Sequence, residues 1–316
     1  MIAIVLALTA LIGQVTSDRL VRAADEPRNW LTYSGTYSGQ RYSTLTQIDR
    51  SNVKSLELKW LMQNQVTGPW ESVPLVVDGI MYLTQRPNDV LAIDARTGRV
   101  FWIYKYGGAQ DAKVCCGANN RGLAMLGSTL FMGTLDAHLV AIDARSGRLL
   151  WNVAVAEYAR GYSITLAPLA VKDKVIVGVG GGEYGIRGFI AAYDVATGKE
   201  VWRFTTIPAP GEPGAETWSG DAWKNGGGSL WVTGTYDPSL NLTYWGVGNP
   251  GPDFNAAQRP GDNLYTDSVV ALNADTGKLQ WHFQFTPNDR YDWDSTQVPI
   301  LVDRDWKGAV AKQSLR

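Results

Sequence analysis

The sequence predicts an all-β fold of the propeller kind, and three observations carry the prediction. The 316 residues include 34 glycines, 13 tryptophans and 14 tyrosines, a balance of turn formers and large aromatics that favours sheets over helices. A twelve-residue pattern recurs four times: Leu91–Trp102, Val140–Trp151, Ala191–Trp202 and Val270–Trp281. Strand-like runs fill the spaces between the copies, at 72–83, 124–133, 166–178 and 230–246.

Each copy reads as a short apolar strand, a tight turn and a returning strand. Asp94, Asp143, Asp194 and Asn273 open the turns and can bond the turn backbone. Gly98, Gly147, Gly198 and Gly277 accept the positive φ that closes them, and a tryptophan follows on the return. The four tryptophans lie 49, 51 and 79 residues apart, and 56–60, ending in Trp60, reads as an earlier degenerate copy. A period of about 40–50 residues made of strands indicates propeller blades. The 79-residue interval must hold an insertion, and 207–214 and 249–263 read as extended loops of the functional or disordered sort. The last strand expected is 298–302, and the tail from 309 to 316 carries no repeat character.

The N-terminus has an apolar run from Ile2 to Ile12. It is too short to cross a bilayer and suits the core of an export signal, with cleavage expected after Ala23 in Val21-Arg22-Ala23. The division expected is therefore a leader at 1–23, a partial propeller at 24–308 and a tail at 309–316. Export would place the cysteines where a disulfide persists. A net charge of −1 gives no footprint for nucleic acid or an anionic membrane.

Chemistry must come from few residue types. With only His138 and His282, a histidine-rich metal site or a histidine triad has little material. Carboxylates, amides and backbone oxygens remain, and such donors suit a hard cation such as calcium. The only two cysteines, Cys115 and Cys116, are neighbours. They read either as two idle thiols or as a strained bond that cross-links no distant parts of the fold. Three further stretches place acids or amides among glycines and aromatics: Gly180-Gly181-Gly182-Glu183, Gly248-Asn249-Pro250, and 288–294 with Asp289, Asp292 and Asp294. The first reads either as a glycine-rich turn or as backbone laid flat against a ligand. A dinucleotide loop is rejected, since the context is strand-rich and no helix is expected to follow. On an extended segment Asp292 and Asp294 would point the same way and could clamp one cation.

Together these stretches resemble the pyrroloquinoline quinone (PQQ)-dependent alcohol dehydrogenases, the methanol/ethanol dehydrogenase type of quinoprotein. The matching segments are 29–35, Cys115-Cys116 with Asn120-Arg121-Gly122, Gly182-Glu183, 217–228, Gly248-Asn249-Pro250 and 287–292, in family order from about 26 to 308. The resemblance implies an eight-bladed propeller, of which four to five blades are present here. It implies PQQ between a Cys115–Cys116 disulfide and Trp231. Glu71, Arg121, Thr165, Ser229 and the backbone at Gly181 and Gly182 would bind its polar edge. Glu183, Asn249, Asp292 and Asp294 would hold a metal, with Asp292 also the general base; Asp294 is the further acid found in members that use a lanthanide and in others. The cofactors implied are PQQ and Ca2+ or a lanthanide. The partners implied are a small alcohol and a cytochrome c in the periplasm, with no nucleic acid, no transmembrane segment in the mature chain, and room for a homodimer in the full-length family.

Two departures accompany the resemblance. Gly180 stands where some methanol dehydrogenases have serine, and the chain leaves the family pattern after Gly308 with about three blades outstanding. An open half-ring would expose an apolar edge and favour aggregation. Two other readings follow: a non-catalytic binding propeller, which has no need of Glu183, Asn249 and Asp292 beside a Cys-Cys pair, or an inactive truncated quinoprotein.

Overall fold

The computed structural model describes residues 14–64, 66–109, 111–306 and 309–315. The apolar run Ile2–Ile12 lies outside the described residues. Four four-stranded antiparallel sheets follow one another along the chain. The first holds β1 (Leu75–Val77), β2 (Ile80–Gln85), β3 (Asp89–Asp94) and β4 (Val100–Tyr104). The second holds β5 (Ala124–Leu126), β6 (Thr129–Gly133), β7 (His138–Asp143) and β8 (Leu149–Ala154). The third holds β9 (Leu169–Val171), β10 (Lys174–Gly178), β11 (Phe189–Asp194) and β12 (Glu200–Thr205). The fourth holds β13 (Thr235–Asp237), β14 (Leu242–Val247), β15 (Ser268–Asn273) and β16 (Leu279–Gln284). Strand order within each sheet is sequence order, so each is a meander. The first strands are buried and the fourth strands are largely exposed, so each sheet runs from the axis outwards. These four sheets are the blades expected from the repeat.

The repeated turn joins each third strand to its fourth and does two jobs. Within the turn, Asp94, Asp143, Asp194 and Asn273 accept backbone N–H bonds from residues two or three ahead. Between blades, each tryptophan donates to the next turn: Trp60 to Ala95 O (3.1 Å), Trp102 to Ala144 O (3.2 Å), Trp151 to Val195 O (3.1 Å) and Trp202 to Ala274 O (3.1 Å). The indole also covers the turn glycine. A Cβ on Gly277, where φ is +68°, would collide with the Trp202 ring. Trp60 docks in the same way as the later copies, although 56–60 forms no strand. Trp202→Ala should cost about 3–5 kcal/mol, the usual range for a large buried aromatic. Gly277→Ala should cost at least about 1–3 kcal/mol through overpacking, both read from urea unfolding. Wild-type midpoints in both variants would refute the docking account.

Trp281, the fourth tryptophan, is 41% exposed where Trp202 is 7% exposed. Beside it lies a cavity of about 510 Å³ lined by Trp30, Tyr37, Tyr42, Tyr244, Trp281 and Leu301 among others, and none of the expected site residues lines it. Beyond the fourth sheet, β17 (Ile300–Trp306) pairs with β18 (Ala309–Leu315) as a two-stranded sheet. The tail expected to lack repeat character is thus a strand in register with 300–306.

The N-terminal segment packs against the first two blades. Val15 exchanges backbone bonds with Gly127 (2.9 and 2.8 Å), and α1 (Ser17–Val21) buries Leu20. Arg19 pairs with Glu26 (2.7 Å) and with Asp78 (2.6 Å) in the β1–β2 turn. A cut after Ala23 would strip these contacts from the second and first blades, whereas a cut before Val15 would leave them intact.

Candidate functional site

In a meander the connection leaving the fourth strand and the one joining the second to the third emerge at the same end. The β4–β5, β8–β9, β10–β11, β12–β13, β14–β15 and β16–β17 connections therefore share one face, opposite the repeated turns. Every expected site residue lies on one of them or, for Glu71, just ahead of β1. This common face gathers residues from the first blade to the end of the fourth.

The structure joins Cys115 to Cys116 by a disulfide, which removes the idle-thiol reading. Their loop is held from below. Arg86 Nε donates to Ala118 O (3.0 Å), Asn120 Nδ2 to Gly133 O (2.8 Å), and Thr84 Oγ1 to Asn120 O (3.0 Å). Asn120 is buried, so the amide sets the path from Cys116 to Arg121. Arg121 pairs with Glu71 (2.6 Å), whose other oxygen accepts from Asn119 Nδ2 (2.7 Å). Arg121 N–H donates to Thr165 O (2.9 Å), which ties this pair to the third blade.

The glycine stretch forms the next wall. Gly180 exchanges backbone bonds with Ser163, and Gly181, at φ +115°, begins a short turn of 3-10 helix over Gly182–Tyr184. A Cβ on Gly181 would collide with Gly161 O, so only glycine fits there. A Cβ on Gly182 would lie 3.0 Å from Ser229 Oγ and 3.8 Å from Asn249 Oδ1, which places those three side by side. Trp231 lies across the same wall: a Cβ on Gly248 would be 2.8 Å from Trp231 and 2.9 Å from Asp294 Oδ1. Glu183 reaches over the cysteines, with one carboxylate oxygen and both Sγ atoms within 4.8 Å of one another. A disulfide offers no thiolate, so this closeness locates Glu183 rather than making a sulfur-ligated metal centre.

Asn249 is buried. Its Nδ2 donates to Asp253 Oδ1 (2.7 Å), and its backbone N–H donates to Asp294 Oδ1 (3.0 Å). With the nitrogen engaged, the amide oxygen is the atom left to face Gly182 and Ser229. The expectation of an extended 292–294 segment fails, because Asp292 (φ +62°) and Asp294 (φ +54°) are both left-handed. The loop instead wraps Asp289, whose carboxylate accepts from Tyr291 N–H (3.0 Å) and Trp293 N–H (2.8 Å) and holds Asp292 between them. Asp292 is exposed and Asp294 half-buried. Among the described residues Glu183, Asp292 and Asp294 do not close to a 4.8 Å triad.

Crowded acids raise one another's proton affinity. Burial first, then repulsion from Asp253 and Asp292, pushes Glu183 above the usual carboxylate range. Partial desolvation by the surrounding loops, followed by Asp253 and Asp289, shifts Asp292 the same way although its side chain is exposed to solvent. Asp294 is pushed up to about 7 by burial and by Asp292, Glu183 and Asp289. Concentrated negative charge of this kind is the electrostatic setting of a cation site.

Sequence reasoning missed Asp267, Asp253 and Arg259 as parts of the site, and singled out Asp289 without a role. Asp253 and Arg259 sit in the 249–263 loop and Asp289 in the acid-rich loop, so the available signal is proximity to Asn249 and Asp292. Asp267 has no such signal. It is wholly buried just before β15, and neither carboxyl oxygen has a hydrogen-bond partner among the described residues. Burial, with Asp289 and Asp294 adding repulsion, raises it to about 8. Its folded pKa exceeds the unfolded value, so the stability it contributes is present at low pH and is lost as pH rises towards 8. In cation-free protein, Asp267→Asn should remove about 2 kcal/mol of the stability loss between pH 5.5 and 8.5 in urea titrations. An unchanged pH slope would count against this.

The residues present fit a flat, anionic ligand. Ser229 Oγ and Asn119 Oδ1 are buried without a partner among the described residues. Gly182 sets bare backbone beside the Ser229 hydroxyl, and on the same face Arg121, paired with Glu71, carries a guanidinium.

Comparisons with known proteins give the family. Residues 30–313 match the family described as PQQ: glucose/ethanol/alcohol dehydrogenase, beta-propeller domain. The chain is 42% identical to the quinohemoprotein alcohol dehydrogenase ADH IIB of Pseudomonas putida, covering 96% of this chain and 46% of that protein. It is 39% identical to a lanthanide-dependent methanol dehydrogenase of Methylacidiphilum fumariolicum, covering 97% and 54%. Among solved structures, it superposes on the quinohemoprotein alcohol dehydrogenase ADHIIG of Pseudomonas putida HK5 with a TM-score of 0.89 at 43% identity, covering 95% and 46%. A europium-containing methanol dehydrogenase gives 0.89 at 38% identity, covering 94% and 56%. The chain spans about half the length of the relatives it matches. It belongs to the PQQ-binding glucose/ethanol/alcohol dehydrogenase β-propeller family.

Proposed function

We propose that the protein carrying this chain oxidises a primary alcohol to an aldehyde with PQQ and a hard cation, Ca2+ or a lanthanide. The observation that supports this most is the meeting on one face of the Cys115–Cys116 disulfide, Glu183, Asn249 and Asp292, from three separate blades and their loops. PQQ with its cation, when bound, supplies a polarised carbonyl that accepts hydride.

The chain's own residues have distinct tasks in this reading. The disulfide and Trp231 bound a slot that excludes water from the two faces of a planar ring. Arg121, braced by Glu71, binds a carboxylate of the ring edge, and Thr165, Ser229 and the Gly181 and Gly182 backbone bind its other polar atoms. Glu183 and Asn249 offer anionic and neutral oxygens to the cation, and Asp294 adds a further anionic oxygen that suits a trivalent ion. Asp292 takes the hydroxyl proton as hydride leaves the carbinol carbon, which yields the aldehyde.

Export to the periplasm, with processing on the N-terminal side of Val15, fits the packing of 15–23. The propeller boundary expected at 24–308 then becomes 15–315 in this proposal. A haem protein of the cytochrome c type would take the electrons, in keeping with relatives named quinohemoproteins. No helix among the described residues is long and apolar enough to cross a membrane.

The test is reconstitution of the full-length protein with PQQ plus Ca2+ or La3+, followed by dye reduction on ethanol and methanol. Alcohol-dependent reduction requiring both PQQ and a cation is the expected result. No reduction with either cation would overturn the reading.

A further inference from the structure

Beneath the acid-rich face lies a guanidinium that the proposed chemistry leaves unused. Arg259 is 0% exposed, an environment in which a charge survives only if its donors are matched. Its four acceptors are three carbonyls and one amide: Nε donates to Pro252 O (3.1 Å), Nη1 to Asn263 Oδ1 (3.0 Å), and Nη2 to Asp253 O (2.9 Å) and to Asp289 O. Pro252 and Asp253 belong to the loop that carries Asn249, and Asp289 to the loop that carries Asp292. A single planar fork therefore spans the two loops.

Each end of the fork continues into a candidate site residue. On one side, Asp253 Oδ1 receives Asn249 Nδ2 (2.7 Å), which turns the Asn249 amide oxygen towards Gly182 and Ser229. On the other, the Asp289 carboxylate receives the Tyr291 and Trp293 N–H groups and holds Asp292 between them. Asn288 reinforces the junction, its Nδ2 donating to Arg259 O (3.2 Å), Gly261 O (2.8 Å) and Asn263 Oδ1 (3.1 Å).

The choice of acceptors matters. An arginine bonded to Asp253 and Asp289 carboxylates would neutralise them and occupy the oxygens that orient Asn249 and the 289–293 loop. Bonded to their carbonyls, Arg259 holds the backbone while the carboxylates stay free for that work. Burial disfavours the charge on the guanidinium, and the nearby Asp289 and Asp253 carboxylates offset part of that cost.

We propose that Arg259 is a positioning residue that holds the Asn249 loop and the Asp292 loop at the separation a shared cation requires. The proposal rests on the cation-dependent reading above. Lysine cannot replace it, because one ammonium cannot reach four acceptors in two loops.

The experiment uses the full-length protein and two variants, Arg259→Lys and Asp253→Ala; the second leaves the guanidinium and its backbone acceptors in place. Cation affinity is measured by calorimetric titration with Ca2+ and with Tb3+, PQQ affinity by its absorbance at saturating cation, and folding by thermal melting. Loss of outer-sphere support should weaken cation binding about 10–100-fold in both variants, with PQQ affinity kept within about threefold. A structural role alone would lower melting temperature, PQQ affinity and cation affinity together, and that outcome overturns the proposal. Wild-type cation affinity in both variants also overturns it. Should Arg259→Lys fail to fold, Arg259→Gln, which removes the charge and most of the fork, takes its place: selective weakening of cation binding supports the proposal and unchanged affinity refutes it. A wild-type protein that binds neither cation overturns the parent reading as well, a result distinct from variant and wild type binding alike.

Discussion

Asp292→Asn should lower kcat in the full-length protein by about 10²–10⁴-fold, the range expected when a general base is removed. PQQ and cation should still bind, because an amide oxygen replaces a carboxylate oxygen of the same size and the Asp289 wrap around the loop is untouched. The pH profile carries the same information. Partial desolvation and the neighbouring acids raise Asp292, so the wild-type rate should climb with pH through a carboxyl pKa above the ordinary aspartate value. That limb should vanish in the variant. A variant with wild-type kcat, or one whose loss tracks PQQ loss, would remove Asp292 from the chemistry.

Glu183→Gln is expected to have the second large effect, on cation affinity rather than on turnover alone. Glu183 supplies an anionic oxygen from a turn whose backbone is fixed by glycines at 181, 182 and 185, so no neighbour can swing in to replace it. Ligand loss should exceed the 10–100-fold cost usual for an outer-sphere partner, measured by titration with Ca2+ and with a lanthanide. The lanthanide should suffer more, since a trivalent ion depends more on anionic oxygens. Equal affinities in variant and wild type would place the cation elsewhere.

The repeated half of the architecture is legible in the sequence because one local interaction is used four times. The Asx turn, its left-handed glycine and the tryptophan that covers the next glycine lie within twelve residues, so spacing alone exposes them. The site is legible in part for a different reason. Cys115-Cys116, Gly181-Gly182-Glu183 and Asn249-Pro250 are short and chemically unusual, and the resemblance rests on them. Arg259 and Asp267 are single ordinary residues whose importance comes only from burial and from what lies across the loop, which no periodicity encodes. The extended geometry expected for Asp292 and Asp294 fails because Asp289 folds that loop around its own carboxylate, and strand alternation does not apply to it. The N-terminal boundary is hard to read because the docking of 15–23 rests on contacts with the first and second blades, such as Val15 with Gly127, that no local pattern encodes.

The most direct test of the account is a crystal structure of the full-length protein with PQQ and Tb3+, using the anomalous signal of the metal. The account predicts one strong peak bonded by Glu183, Asn249 and Asp294, beside Asp292, with the quinone ring lying between the Cys115–Cys116 disulfide and Trp231. A peak away from those three residues, or a ring that does not lie on the disulfide, would contradict it.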